Sequence, residues 1–226
     1  MLRLYWKFID KNDIDFYYLG SQPATDFQLE MFDLIGIKKD KLVCYPCRAR
    51  RSLTVVRFNE KYNNAGKYID SNSYNFVREQ FLPLLSKNDS YPKRIFVRRG
   101  KTKKRNIVSE EEVVRCLVGY NFEPIVMDGL PFLQQANIFF NADIVIGLEG
   151  SALANLIFIK KGAKVIVIFP SQYLLPSTYT YAAYQKADFY NLLVDSVPGG
   201  TGNPQQDNVI VDVNKLKKLL KLAEVT

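Results

Sequence analysis

The second half of the chain alternates between short, continuous apolar runs and longer stretches with helical spacing. RIFVRR (94–99), FEPIVM (122–127), ADIVIG (142–147) and KVIVIFP (164–170) have the length and composition of strands covered on both faces. Between them lie a helix opening at Ser109, one over Pro131 to Phe140 and one over Ser151 to Ile159. Ser109-Glu110-Glu111-Glu112 fits a capping box, in which the serine and the third glutamate cap each other's backbone N–H. Phe189 to Val194 and Asn208 to Val211 read as further strands. Asp212 caps a last helix striped by Val213, Leu216, Leu219, Leu220 and Ala223.

The first half is less regular. DFYYLG (15–20) reads as a strand, and Thr25 to Ile35 as a helix with Phe27, Met31, Leu34 and Ile35 on one face. KLVCYP and SLTVVRF read as strands around a basic turn carrying Arg48, Arg50 and Arg51, followed by a polar loop at 63–67. Ser73 to Leu85 reads as a helix with Val77, Phe81, Leu84 and Leu85 inward, its last turn weakened by Pro83. KNDSYPK (87–93) is the most linker-like stretch. It divides the chain into 1–88 and 89–226.

Alternating strands and helices imply an α/β fold with a parallel sheet covered by helices, and such sheets bind ligands at the carboxyl ends of their strands. RRGKTKKR (98–105), MDGLP (127–131), GLEGS (147–151) and PSQY (170–173) all follow strands, so all four are expected along one edge. In GLEGSALANLIF, Gly147 and Gly150 permit a tight turn and a close backbone approach. Ser151 opens a helix whose free N–H groups and partial positive charge favour phosphate. With the basic loop on the same edge, the pattern describes a diphosphate site. The plain alternative is a βα turn that needs glycine for geometry alone.

Composition narrows the chemistry. The 226 residues include no histidine, which removes Ser-His-Asp and Cys-His catalysis and the usual zinc-hydrolase motifs. Three cysteines are too few for a disulfide scaffold. Cys44 and Cys47 form a C-x-x-C, readable as a redox pair or half a zinc site, but no second ligand pair accompanies it. A net charge of +8 suits an anionic partner such as a nucleotide, a nucleic acid or an acidic membrane. No apolar run is long enough to span a membrane and no signal-peptide pattern opens the chain, so a cytoplasmic location is expected. The chain is also compatible with being one domain of a longer protein.

RIFVRRGKTKKRNIVSEEEV, PFLQQANIFFNADIVIG, GLEGSALANLIF and KVIVIFP, in that order, resemble glycosyltransferase family 61. The likeness is best over 94–173 and extends more weakly back through YIDSNSYNFVREQFLPLL. It implies a GT-B fold of two Rossmann-like domains, with the donor bound mainly by the C-terminal one. It also implies metal-independent, inverting transfer from a nucleotide sugar, expected to be UDP-linked, to a glycan acceptor. The N-terminal half looks short, as though the family's first βα unit were missing or divergent.

By position, Arg98 and Arg99 match the family's basic strand end and Arg105 the arginine of its next turn. Gly150, Ser151, Leu153 and Asn155 match its Gly-rich helix start. Glu149 stands where the family usually has histidine, and Val167 where it usually has glutamate. Asp128 and Tyr173 are further candidates for the donor, at the base edge and by stacking; a βα turn and an ordinary surface tyrosine are the plain readings. Gln135 reads as structural.

An inverting transfer needs a base for the acceptor hydroxyl. Glu149 is the candidate nearest the donor site, with a sugar contact as the alternative role, and Asp10, Asp13 and Asp15 are candidates in the other half. The rival functions are an inactive nucleotide-sugar-binding domain and a basic nucleic-acid-binding protein. The latter lacks a recognisable motif and aromatics interleaved with its basic run.

Overall fold

The computed structural model describes residues 6, 9–20, 22–53, 70–100 and 104–226, and these form two compact units that part between Leu84 and Leu85. Most of the expected strand SLTVVRF, the polar loop at 63–67 and residues 101–103 of the basic loop lie outside the described residues.

The first unit holds a small parallel pair, β1 (Tyr17–Tyr18) and β2 (Leu42–Val43), linked by α1 (Asp26–Leu34). Thr25 and Gln28 cap the start of α1 reciprocally. α2 (Ser71–Phe81) starts two residues before the expected position because the Asp70 carboxylate accepts from Ser73 N–H. Tyr74 and Phe81 carry its burial. Leu84 is exposed, a correction to its inward assignment: Pro83 lies in a 3-10 turn (Leu82–Leu84) that rotates the last residues off the apolar face. Cys44 is half-buried, Cys47 is exposed, and both are free thiols.

The second unit is built on a seven-stranded, mostly parallel sheet. Its strands are β3 (Arg94–Arg98), β4 (Ile107–Val108), β5 (Glu123–Val126), β6 (Ile144–Leu148), β7 (Lys164–Pro170), β8 (Asp188–Ser196) and β9 (Val209–Ile210), in the spatial order β4-β9-β8-β7-β6-β3-β5. β5, β3, β6, β7 and β8 are all parallel. β9 runs antiparallel to β8, and β4 pairs with it at the edge.

Period-two alternation sends neighbouring strand residues to opposite faces. Phe96, Ile146 and Ile166 point into a core shared with Val113 and Leu117 of α3 (Glu110–Val118) and Leu216 and Leu220 of α6 (Val213–Leu222). On the other face a 3-10 helix (Ser151–Phe158) packs between α4 (Phe132–Asn141) and α5 (Pro176–Tyr184). The α-helix expected from Ser151 is therefore a 3-10 helix. Leu153, Leu156, Ile157 and Phe158 are all buried, and the tighter winding buries more than one stripe.

The expected capping box at Ser109 does not form. Ser109 sits in the left-handed region at φ 56°, its side chain makes no cap bond, and Glu110 and Glu111 turn toward Arg98. The linker-like stretch at 87–93 belongs to the second unit, where Asn88 N–H donates to the Asn141 side chain at 2.9 Å.

Candidate functional site

Taken in chain order, the five contiguous parallel strands β5, β3, β6, β7 and β8 run 2-1-3-4-5 across the sheet, so the strand order reverses between β3 and β6. In open α/β sheets the ligand crevice lies at the carboxyl ends of the strands at that switch point. The turns leaving β3 and β6 are Arg99-Gly100 and Glu149-Gly150, and both glycines are close-approach positions. A Cβ on Gly150 would collide with the Arg99 guanidinium, and one on Gly100 with the Asp128 carboxylate. Gly150 has φ 172°, an extended conformation open to any residue, so proximity and not a tight turn calls for glycine there. Gly147 is similar: its Cβ would stand 3.0 Å from Leu153 Cδ2 and 3.2 Å from Val97 Cβ.

Arg99 and Arg105 converge beside this crevice. Arg99 Nη2 donates to the Lys104 carbonyl at 3.3 Å. Burial, and then the charge of Arg105, hold its pKa below the ordinary arginine value, with Asp128 and Glu149 opposing. Arg105 has a left-handed backbone, φ 53°, fixed by its N–H donating to Gln206 O at 2.9 Å, and its guanidinium carbon lies 5.7 Å from the Tyr173 ring centre. The Nε of each arginine is buried without a hydrogen-bond partner among the described residues. Two cations with unused donors at a switch point have the chemistry to hold an anion.

Glu149 is 4% exposed, and its N–H is held by the Ile168 carbonyl at 2.9 Å. Its carboxyl is pushed up to about 7, chiefly by burial; Arg105, the Thr178 hydroxyl and Arg99 pull the other way. Among the described residues neither Glu149 Oε2 nor Thr178 Oγ1 has an aligned hydrogen-bond partner, although the two side chains are near neighbours. Both line a pocket of about 220 Å³ whose other walls are Arg105, Gly150, Ser151, Ala154, Leu175, Ser177 and Tyr181. Burial, and next the Glu149 charge, raise the Tyr181 phenol. A larger hollow of about 420 Å³ is lined by lysines of α6 and by Tyr120 and Thr226, whose carbonyls accept from Arg94 at the amino end of β3. That is the sheet edge away from the switch point.

The structure thus brings together Arg99, Arg105, Asp128, Glu149, Gly150, Ser151 and Tyr173. It does not bring Arg98, which alternates onto the other face of β3. There Arg98 donates from Nε and Nη2 to Glu110 at 2.9 and 2.7 Å and from Nη2 to Glu111 at 2.8 Å. The Glu110 bond, outweighing burial, raises the Arg98 pKa.

Asn155 also falls outside the pocket. Its buried amide donates to Gln135 Oε1 at 3.1 Å, while Gln135 Nε2 donates to Met127 O and Leu130 O. This pair ties the 3-10 helix to the 127–130 loop, so Asn155 supports the site from beneath. Val167 is buried in the middle of β7, opposite Gly147 and Asn191. In the first unit Asp10, Asp13 and Asp15 are exposed, and Asp10 caps a short turn through Asn12 N–H.

Sequence reasoning missed Thr178, Ser177 and Tyr181, because α5 was not expected. The one signal was Pro176, well suited to a first helical turn.

The family model for Glycosyltransferase 61 matches residues 18–166, from β1 into β7 and short of α5. Among curated proteins nothing matches the chain.

Proposed function

The chain belongs to glycosyltransferase family 61, and from that premise we propose that it carries a sugar from a nucleoside-diphosphate donor, UDP-linked in our reading, to a glycan hydroxyl with inversion and without a metal. Transfer of a sugar between a donor and an acceptor follows from the family itself. The finer reading rests on one observation: Arg99 and Arg105 meet at the switch point, each with a buried and unpartnered Nε.

In this reading the guanidinium groups hold the diphosphate and stabilise the charge that grows on it as it leaves. The acceptor oxygen attacks the anomeric carbon from the face opposite the diphosphate. The bond from that carbon to the phosphate oxygen breaks, its electron pair leaves with the nucleotide, and the acceptor proton passes to the Glu149 carboxylate. A GT-B fold is part of this reading, with the switch-point sheet as its donor-binding domain.

The test is binding of UDP, GDP and dTDP in the presence of EDTA to the parent and to Arg99→Ala and Arg105→Ala. We expect one nucleotide to bind the parent and to lose at least tenfold in each variant. Equal affinity in parent and variants, or a strict need for divalent metal, would overturn the reading.

A further inference from the structure

We propose that Glu149 and Thr178 form a subsite for one neutral sugar hydroxyl, and that Thr178 is thereby a specificity-determining residue. The inference rests on the transferase reading above and names what the inner end of its pocket recognises.

Two polar side chains line the same pocket of about 220 Å³, Glu149 at 4% exposure and Thr178 at 2%. Each has an oxygen, Oε2 and Oγ1, without an aligned partner among the described residues, although the two side chains lie close enough for the Thr178 hydroxyl to pull the Glu149 pKa down. Burying such groups unsatisfied is unfavourable, so a group that completes both gains on both. The ionised carboxylate only accepts, whereas a threonine hydroxyl both donates and accepts. A ligand hydroxyl can donate to Glu149 and accept from Thr178 at once.

Charge disfavours the alternatives. A phosphate here would meet the Glu149 carboxylate as well as Arg105, and an ammonium would meet Arg105 and Arg99. Tyr181 is the remaining titratable group beside Glu149 and is neutral near pH 7 with its phenol pushed up. Size points the same way. The pocket is smaller than the roughly 300–1,000 Å³ of sites that enclose whole drug-sized ligands, so it suits a single ring and not a nucleotide. Arg105, Gly150 and Ser151 in its wall set that ring next to the diphosphate site.

Sites built around a substrate hydroxyl reject analogues lacking it far more strongly than apolar pockets reject a missing methylene, because the site's own groups are left unpaired. Thr178 lies beyond the span matched by the family model. The chain therefore carries this selectivity on an element outside that match.

The hydroxyl can come from the donor sugar or from the acceptor, and Thr178→Val, which keeps the shape and removes the hydroxyl, distinguishes them. Affinities are measured for UDP, UDP-glucose, UDP-galactose and UDP-xylose, with GDP-mannose and dTDP-glucose in parallel, and nucleotide release is followed with methyl glucoside as acceptor. A donor hydroxyl predicts unchanged affinity for the free nucleotide and a loss of about tenfold or more for the sugar nucleotide. An acceptor hydroxyl predicts unchanged donor affinity and a comparable rise in the acceptor KM. In either case Thr178→Ser should recover most of the loss. Parent-like behaviour of Thr178→Val in both arms, or a Thr178→Ser variant as impaired as the valine, would overturn the subsite. The transferase reading fails separately, by nucleotide affinity that does not depend on Arg99 and Arg105; if no nucleotide binds at all, both fall together.

Discussion

Glu149 is where charge, burial and chemistry meet in one side chain. Its carboxyl rises from 4.5 to about 7 because burial outweighs the attraction of Arg105 and Arg99. The native state thus binds this proton more tightly than the unfolded chain does. Stability from the group is complete below about pH 4.5 and is lost as pH rises through about 7. Glu149→Gln has no charge to bury, so its stability relative to the parent should improve by about 2–3 kcal/mol between pH 5 and pH 8. Urea unfolding at the two pH values reads this directly, and a flat difference would refute the buried ionisable carboxylate. In catalysis the sign reverses, since a base must be ionised to accept a proton. Parent kcat/KM should climb with pH to a plateau above about 7, and Glu149→Gln should lose about a hundredfold or more in turnover and flatten the profile. The neighbouring arginines separate as sharply. Arg98→Ala should leave nucleotide affinity within about twofold, because its guanidinium already serves Glu110 and Glu111. Arg99→Ala should cost about 1.5–3 kcal/mol of binding, a charged hydrogen bond's worth. Calorimetric titration of the two variants side by side would expose an error in either assignment.

At the scale of elements, the site is a set of turns held in register by two glycines and an amide pair. Adding a methyl at Gly150 strains no backbone, since its φ of 172° suits any residue, but it displaces the Arg99 guanidinium. That guanidinium is the mobile end of a side chain, so Gly150→Ala should unfold within about 1 kcal/mol of the parent while losing about tenfold in nucleotide affinity. A variant that binds like the parent would reduce this glycine to a spacer. β3, β6 and β7 could be read from sequence because doubly covered parallel strands are continuous apolar runs, and the turns after them because ligand loops must follow such strands; β5, at the sheet edge with no buried residue, was legible only as a short run between helices. α5 could not. PSTYTYAAY has no apolar stripe, and of its residues only Thr178 and Ala182 are buried. The separate fates of Arg98 and Arg99 follow from strand alternation and were in principle readable; which face each would meet depended on where α3 packs. The capping box at Ser109 failed for a backbone reason. It needs the Ser109 side chain and Glu112, and Ser109 sits in the left-handed region at φ 56°, where its side chain makes no cap bond.

For the molecule as a whole, the question is whether its net charge of +8 or its switch-point crevice decides what it binds. Much of the excess is spread: α6 alone carries exposed Lys215, Lys217, Lys218 and Lys221 on its outer side. Spread charge attracts any polyanion by releasing counterions, and that attraction falls steeply with salt, with a slope of about 0.7 per phosphate contacted on a single strand. The pair at the switch point is different. Arg99 is half-buried and partly desolvated, and a diphosphate there would touch few cations at short range, where salt screens little. A single-stranded oligonucleotide and a nucleoside diphosphate should therefore part company as salt is raised from 50 to 200 mM. Oligonucleotide affinity should fall by about fiftyfold or more if four or more phosphates are engaged, against a several-fold loss for the nucleotide. Arg99→Ala should weaken the nucleotide alone, and saturating oligonucleotide should not displace it. Fluorescence anisotropy with a labelled oligonucleotide, repeated with UDP as competitor, reads the oligonucleotide side, and calorimetric titration with UDP over the same salt series reads the nucleotide side. Displacement by UDP, or loss of oligonucleotide binding in Arg99→Ala, would place nucleic acid in the crevice and count against a sugar nucleotide as its ligand.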